Sequence, residues 1–139
     1  MLFRSDITLN LLARFGINVQ RDGYARFTVP AGSRYQSPGV IHVEADASSA
    51  SYFIALGAMA AGQAPADPPL TILGLGLDSI QGDIRFVEAA RLMGADITGA
   101  PGRLTVQRGA WPLRAITLDC NHIPDAARSE STRLNSSHG

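Results

Sequence analysis

The sequence predicts an α/β protein in which helices cover one face of small mixed sheets, and three observations support this class. Segments with helical spacing of apolar residues alternate with short β-branched segments along the 139 residues. Glycines and prolines fall between these segments, where turns and loops are expected. The order helix, hairpin, further strand then occurs twice, which indicates an internal repeat.

The first repeat begins with a short helix followed by a hairpin. Asp6–Phe15 has its apolar residues on one helical face, with Asp6 as the expected cap and Gly16 as the expected end. Ile17–Val19 and Ala25–Val29 alternate apolar and polar residues on either side of a glycine-containing turn. These two segments are predicted to pair as a hairpin.

A strand and a second, longer helix are predicted next. Val40–Val43 is largely β-branched and apolar, and Asp46 offers capping chemistry just before an alanine-rich apolar segment, Tyr52–Ala61. This pattern predicts a strand that leads into a buried helix. After a proline-containing loop, Leu70–Leu73 is predicted to be another strand.

The second repeat follows the same order. Asp83 is expected to open a helix, Gly94 to end it, and Arg103–Val106 to form a hairpin strand. The predicted strand Ala115–Leu118 leads to Asp125 as the earlier strand leads to its capping aspartate.

Composition limits the classes of partner. The twelve acidic and twelve basic residues are scattered along the chain, so neither nucleic acid nor a membrane surface is an expected partner. All the basic residues are arginine, and Cys120 is the single cysteine, so no internal disulfide can form. No basic leader or long apolar run is present, and a cytoplasmic location is expected.

Five segments resemble, in the same order, the 3-phosphoshikimate 1-carboxyvinyltransferase family, the enolpyruvyl transferases of the shikimate pathway. They are Asp6–Leu11, Tyr35–Gly39, Val43–Phe53, Gln81–Phe86 and Asn121–Ala127. The resemblance implies a two-domain fold of repeated α/β units with the active site in the cleft between the domains. Because the family's enzymes are much longer than this chain, we expect an internal fragment.

The resemblance also implies how the chain divides into domains. Residues 1–43 are expected to be the end of the first-crossed domain, and residues 44–127 part of the other domain. Residues 128–139 are almost entirely polar and match nothing in the family, so we expect a disordered, non-native tail.

The function implied is transfer of the enolpyruvyl group of phosphoenolpyruvate to the 5-hydroxyl of shikimate 3-phosphate, with release of phosphate. The partners are these two small molecules, neither a metal nor an organic cofactor is implied, and the full enzyme is expected to be a monomer. Asp125 matches the family's proton acceptor and would be both the catalytic base and a substrate-binding residue. Without the resemblance, an aspartate before Ala126 and Ala127 is more typical of a helix cap than of a catalytic residue, and the resemblance reverses that preference.

Two alternatives stay open. The sister family makes the same transfer to UDP-N-acetylglucosamine, although the segment Asp46–Phe53 fits it less well. The chain could instead be a non-catalytic α/β fragment.

Asp46 is expected to be a cap rather than a catalyst, with Ser48 and Ser49 in the first helical turn.

Overall fold

The computed structural model describes residues 4–64, 66–120 and 123. The chain divides into two compact units, Met1–Val43 and Glu44–Gly139. The sequence-based assignment of the two segments to different domains of a larger enzyme stays a prediction.

The first unit opens with helix α1, Arg4–Arg14. Because α1 begins before Asp6, that residue lies within the first turn, and its predicted role as the cap is wrong. The Asp6 carboxylate instead accepts hydrogen bonds from Arg21 Nη1 at 2.9 Å and from the Tyr24 hydroxyl at 2.7 Å. Asp6 therefore fastens α1 to the hairpin that follows.

That hairpin consists of β1, Gln20–Asp22, paired antiparallel with β2, Arg26–Thr28. The hairpin is confirmed, but its first strand lies closer to the turn than the predicted Ile17–Val19. The reason is local, since the N–H of Ile17 donates to Leu12 O at 2.9 Å and so belongs to the end of α1.

Within the described residues, the second unit contains two α-helices and three strands. In chain order its elements are α2 (Ala47–Ala60), β3 (Leu70–Leu73), a 3₁₀ turn (Gly82–Arg85), α3 (Phe86–Met93), β4 (Asp96–Ala100) and β5 (Arg103–Gln107). The sheet order is β3-β5-β4, and both pairings are antiparallel. A tight turn joins β4 to β5, and such a turn permits only antiparallel pairing. The predicted mixed sheet is thus antiparallel throughout the described residues.

One face of this sheet carries the core of the second unit. Leu104 and Val106 on the central strand β5 are fully buried, and Ile54 of α2 and Val87 of α3 are each 1% exposed. The cluster also includes small residues that let the helices lie close to the sheet: Ala47, Ala50, Ala58, Ala90 and Ala95. Helices on one face of a small sheet confirm the predicted α/β class.

Helix α2 is only half-buried, whereas the sequence predicted a buried helix. Tyr52 is 62% exposed and Phe53 56% exposed, and Leu56 and Met59 are also exposed. The face that carries Ile54 packs on the sheet, and no described element of the second unit covers the opposite face. Apolar composition therefore overstated the burial of this helix.

Two predicted strands do not form within the described residues. Val40–Val43 and Ala115–Leu118 have the composition of strands but no strand character. A β-branched segment becomes a strand only when a neighbouring strand accepts its hydrogen bonds. Neither segment is paired with a strand in the part of the chain that the structure describes.

The internal repeat is confirmed by matching backbone hydrogen bonds at the ends of α1 and α3. Gly16 and Gly94 follow these helices with φ of +80° and +113°, a region that favours glycine. At the first end, Ile17 N donates to Leu12 O and Gly16 N to Ala13 O. At the second end, Ala95 N donates to Ala90 O and Gly94 N to Arg91 O. Both ends are Schellman motifs.

A further bond repeats in the loops after the two hairpins. Gln36 N donates to Phe15 O, and Arg114 N donates to Met93 O, each at 2.8 Å. The repeat therefore extends past the hairpin in both copies.

Among the described residues, no helix combines the length and the apolar character that crossing a membrane requires.

Candidate functional site

Asp125, the predicted catalytic base, lies outside the described residues. Its segment is represented only by Ile123, which is 3% exposed. Two other family-like segments, Val43–Phe53 and Gln81–Phe86, lie within the described residues.

These two segments meet at the start of α2 through the carboxylate of Glu44. It accepts hydrogen bonds from Ser79 Oγ at 2.5 Å, from Gln81 Nε2 at 3.1 Å and from Ile80 N at 3.4 Å. A carboxylate can accept several bonds at once, and bonds to an ionised group are the stronger kind. Glu44 thus ties the residues before α2 to a loop that is distant in sequence.

The side-chain amide of Gln81 completes this connection. Its Nε2 donates to Ala45 O at 2.7 Å, and its Oε1 accepts from Ala47 N at 2.9 Å. Nε2 thus donates to both Glu44 and Ala45 O, while Oε1 accepts from Ala47 N. Exchanging the nitrogen and the oxygen of the amide would lose all three hydrogen bonds. We call Glu44, Ser79 and Gln81 the helix-start lock.

A second contact joins the same segments one turn further on. The Ser48 hydroxyl donates to Asp83 Oδ2, and Asp83 is 8% exposed. Among the described residues, every buried side-chain nitrogen or oxygen atom has a hydrogen-bond partner. The buried polar side chains of these two family-like segments therefore all have hydrogen-bond partners.

Asp46 caps α2, as predicted. Its carboxylate accepts from Ser48 N and Ser49 N, each at 3.2 Å, and from Ser49 Oγ at 2.5 Å. Together with the bond from Ala47 N to Gln81, the cap occupies the first three N–H groups of the helix. A helix N-terminus can bind phosphate when these groups are free, so this one is closed to anions.

The Asp46 cap should make stability depend on pH. Its hydrogen bonds, first of all that from the Ser49 hydroxyl, hold the pKa of the Asp46 carboxyl below its ordinary value. A carboxyl whose pKa is lower in the folded state stabilises the fold above the unfolded pKa, and this contribution is lost as pH falls through the folded pKa.

We therefore expect Asp46→Asn, which keeps a capping side chain, to melt at a lower temperature than wild type at pH 7. The difference should begin to shrink as pH falls below about 4, the ordinary pKa of an aspartate, and should disappear only below the lowered pKa that Asp46 has in the folded state. Thermal melts of both proteins between pH 3 and pH 7 measure this. Ser49→Ala should weaken the pH dependence, and an unchanged difference at pH 3 would contradict the assignment.

A groove between α2 and α3 is entirely apolar. It has a volume of about 190 Å³ and is lined by Ala55, Ala58, Met59, Phe86, Ala89, Ala90, Met93 and Leu113. A phosphorylated substrate needs charged or polar partners. This groove therefore does not suit the anionic substrates that the resemblance implies.

Five of the described arginines already contact other groups of the chain. The pairs are Arg14 with Asn10, Arg21 with Asp6, Arg85 with Glu88, Arg91 with Ile97 O, and Arg108 with the Trp111 ring. Because each has a different partner, these five cations do not form one shared anion site. No group of three or more metal-binding side chains occurs within the described ranges.

The helix-start lock was not predicted from the sequence. Its members lie in or beside the segments that carry the resemblance, where Glu44 follows an apolar run and Gln81 precedes Gly82. Polar residues at such positions are a signal for a buried hydrogen-bond network, but the sequence alone does not say which of them meet.

The repeated α/β units, with the two family-like segments joined at the start of α2, fit the class of repeated α/β proteins that the resemblance implies. The sequence model for EPSP synthase (3-phosphoshikimate 1-carboxyvinyltransferase) matches residues 3–130. The chain belongs to this family.

Curated relatives carry the same name. The chain is 57% identical over 123 residues to the 3-phosphoshikimate 1-carboxyvinyltransferase of Laribacter hongkongensis, covering 88% of this chain and 27% of the relative. Identity is 56% with the protein of Herminiimonas arsenicoxydans, covering 88% of this chain and 26% of that protein. It is 53% with that of Cupriavidus necator, with 88% and 27% covered. The chain spans about a quarter of the length of these relatives.

Proposed function

We propose that this chain is part of an enzyme that transfers the enolpyruvyl group of phosphoenolpyruvate to the 5-hydroxyl of shikimate 3-phosphate and releases phosphate. The observation that carries the proposal is the 57% identity, over 123 residues, to a relative named 3-phosphoshikimate 1-carboxyvinyltransferase. Identity at this level over 88% of the chain supports a shared reaction for the complete proteins.

In this reaction Asp125 takes the proton of the attacking hydroxyl. An ionised carboxylate within hydrogen-bond reach can orient a hydroxyl group and accept its proton as the new bond forms. The phosphates and the carboxylate of the substrates need several cations around them. The enzyme would work as a cytoplasmic monomer on these two small molecules, without metal, organic cofactor, nucleic acid or membrane.

The 139-residue chain is expected to be inactive by itself. It contains no lysine, and five of its arginines are engaged in separate contacts within the chain. Since it spans about a quarter of its relatives' length, the remaining cations would come from parts of the enzyme that lie outside it. Without them, the charge of the two substrates is not neutralised.

The test compares two proteins for phosphate release from shikimate 3-phosphate and phosphoenolpyruvate. One is the chain itself, and the other is the Laribacter hongkongensis relative in which residues 6–127 of this chain replace the matching segment. We expect release by the chimera and none by the chain alone.

Three other outcomes would count against the proposal. Activity of the 139-residue chain would show that the other cations are dispensable. Release only when UDP-N-acetylglucosamine replaces shikimate 3-phosphate would favour the sister reaction. A folded but silent chimera would favour a non-catalytic segment, provided that the unmodified relative is active in the same assay.

A further inference from the structure

Helix α2 turns an apolar stripe away from the sheet. Its inner side is fixed by Gly57, because a Cβ atom there would lie only 2.8 Å from Val106 Cγ1. Tyr52, Leu56 and Met59 lie on the outer side, at the i, i+4, i+7 spacing of one helical face. These three side chains are 62%, 49% and 47% exposed, and we call them the α2 stripe. A continuous exposed patch of large apolar residues indicates an interaction surface.

The α2 stripe borders the apolar groove between α2 and α3, and Met59 belongs to both. An apolar cavity of about 150 Å³ is large enough to bind benzene, and this groove has about 190 Å³. The groove therefore has room for one aromatic ring. The aromatic member of the α2 stripe is Tyr52, so this surface holds both a ring and a place that can receive one.

We propose that this surface binds the same surface on a second copy of the 139-residue chain, with the two α2 helices antiparallel and a twofold axis beside Leu56. In a twofold contact one patch serves both partners, so it must be complementary to itself. The α2 stripe meets this condition, because Tyr52 lies four residues before Leu56 and Met59 lies three residues after it. Antiparallel pairing therefore sets Tyr52 of each copy against Met59 and the groove of the other.

Electrostatics permit this pairing and favour its direction. Helix α2 contains no Asp, Glu, Lys or Arg, so the contact brings no like charges together. Antiparallel helices place the partial positive N-terminus of each near the partial negative C-terminus of the other, whereas parallel helices align like ends. A charged peptide would instead bury its charges against an apolar surface without partners. The pairing concerns the 139-residue chain, since the complete enzyme contains further segments.

Two charged substitutions test the pairing and its direction together. Tyr52→Arg and Met59→Glu each place a charge against the apolar surface of the other copy, so each variant alone should dimerise weakly. Mixed in equal amounts, the two variants should form a heterodimer, because antiparallel helices bring position 52 of one chain beside position 59 of the other, where the opposite charges pair. Parallel helices would leave both charges unpaired.

The matched control is Leu73→Arg. Leu73 ends β3 and is 70% exposed, and its side chain points away from the face on which Ile72 packs against the core. The substitution adds a charge to an exposed apolar position of the same unit that lies outside the α2 stripe. Tyr52→Ser is a further variant, which removes the ring without adding a charge.

The measurement is sedimentation velocity of the 139-residue chain from micromolar to millimolar concentration, with circular dichroism to check that each variant is folded. Wild type should pass from monomer to dimer and form no larger species. Tyr52→Arg, Met59→Glu and Tyr52→Ser should each raise the dissociation constant at least about 30-fold, as loss of a central aromatic contact predicts. The mixture should bind at least about 10-fold more tightly than either charged variant alone. Leu73→Arg should match wild type.

Four results would overturn the proposal. A wild-type chain that stays monomeric throughout the series would leave the α2 stripe to another segment of the larger enzyme. Species larger than a dimer would show open, unspecific association. A mixture no tighter than its separate variants would exclude the antiparallel contact. Loss of the dimer in Leu73→Arg, with Tyr52→Ser unchanged, would place the contact on the sheet.

Discussion

Leu104→Ala is expected to lower the free energy of unfolding of the second unit by about 2–5 kcal/mol. Leu104 is fully buried on β5, the central strand of the sheet, where it is paired with Ile72 on β3 and with Gly99 on β4. Truncation removes apolar contacts and leaves a cavity that two flanking strands and the covering helices cannot easily fill. Urea denaturation of the two proteins gives the difference directly.

A matched control lies on the neighbouring strand. Leu73 ends β3 and is 70% exposed, so Leu73→Ala should change stability by no more than about 0.5 kcal/mol. If both substitutions cost the same, the sheet would not have the buried face described above. If neither did, the second unit would not unfold as one cooperative body.

Asp125→Asn in the chimera described above is expected to lower kcat by about 10² to 10⁴-fold. Asparagine has nearly the same shape and caps helices about as well as aspartate, but it cannot accept a proton. The substitution therefore separates the role as base from the role as cap. Steady-state phosphate release, with the melting temperature of each protein measured in parallel, gives both readouts.

The control for this experiment is Asp78→Asn, an exposed carboxylate in the second unit, which should leave kcat unchanged. Asp125→Ala should lose activity as the asparagine variant does, and should lower the melting temperature if the residue is also a cap. An asparagine variant with near wild-type kcat, together with an unstable alanine variant, would leave Asp125 a cap and nothing more.

Much of the fold was predictable because its signals are local. The Asp46 cap, the end of a helix at Gly94, and the strand positions of Leu70–Leu73 and Arg103–Val106 all follow from short sequence patterns. Each depends on residues within a few positions of one another. The repeat was also predictable, because its glycines and strand patterns recur in the same order.

Three of the errors share one cause, which is that strand pairing, the burial of a helix face and the partners of a polar side chain depend on distant residues. Val40–Val43 has strand composition but no described neighbour to pair with, and α2 has core composition but only one covered face. Asp6 looked like a cap, and the structure uses its carboxylate to hold Arg21 and Tyr24 instead. Composition indicates what a segment can do, and tertiary contacts decide which possibility is realised.

The same limit applies to the candidate site. The segments around Glu44 and Gln81 were recognised as family-like, but nothing in the sequence says that the two side chains bond to each other. Their contact joins positions 37 residues apart through geometry that only the folded chain provides. Asp125 was assigned through the family resemblance, and its role as base rests on the kinetic test above.

The two Schellman motifs have a consequence for how such a repeat can change over evolutionary time. Each is made from backbone atoms and one glycine, so the side chains around Gly16 and Gly94 are free to diverge while the bend persists. Two copies that arose by gene duplication could therefore lose sequence identity at almost every position and still share these turns. A search for ancient duplications would do better to compare positive-φ glycines and their hydrogen bonds than to count identical residues.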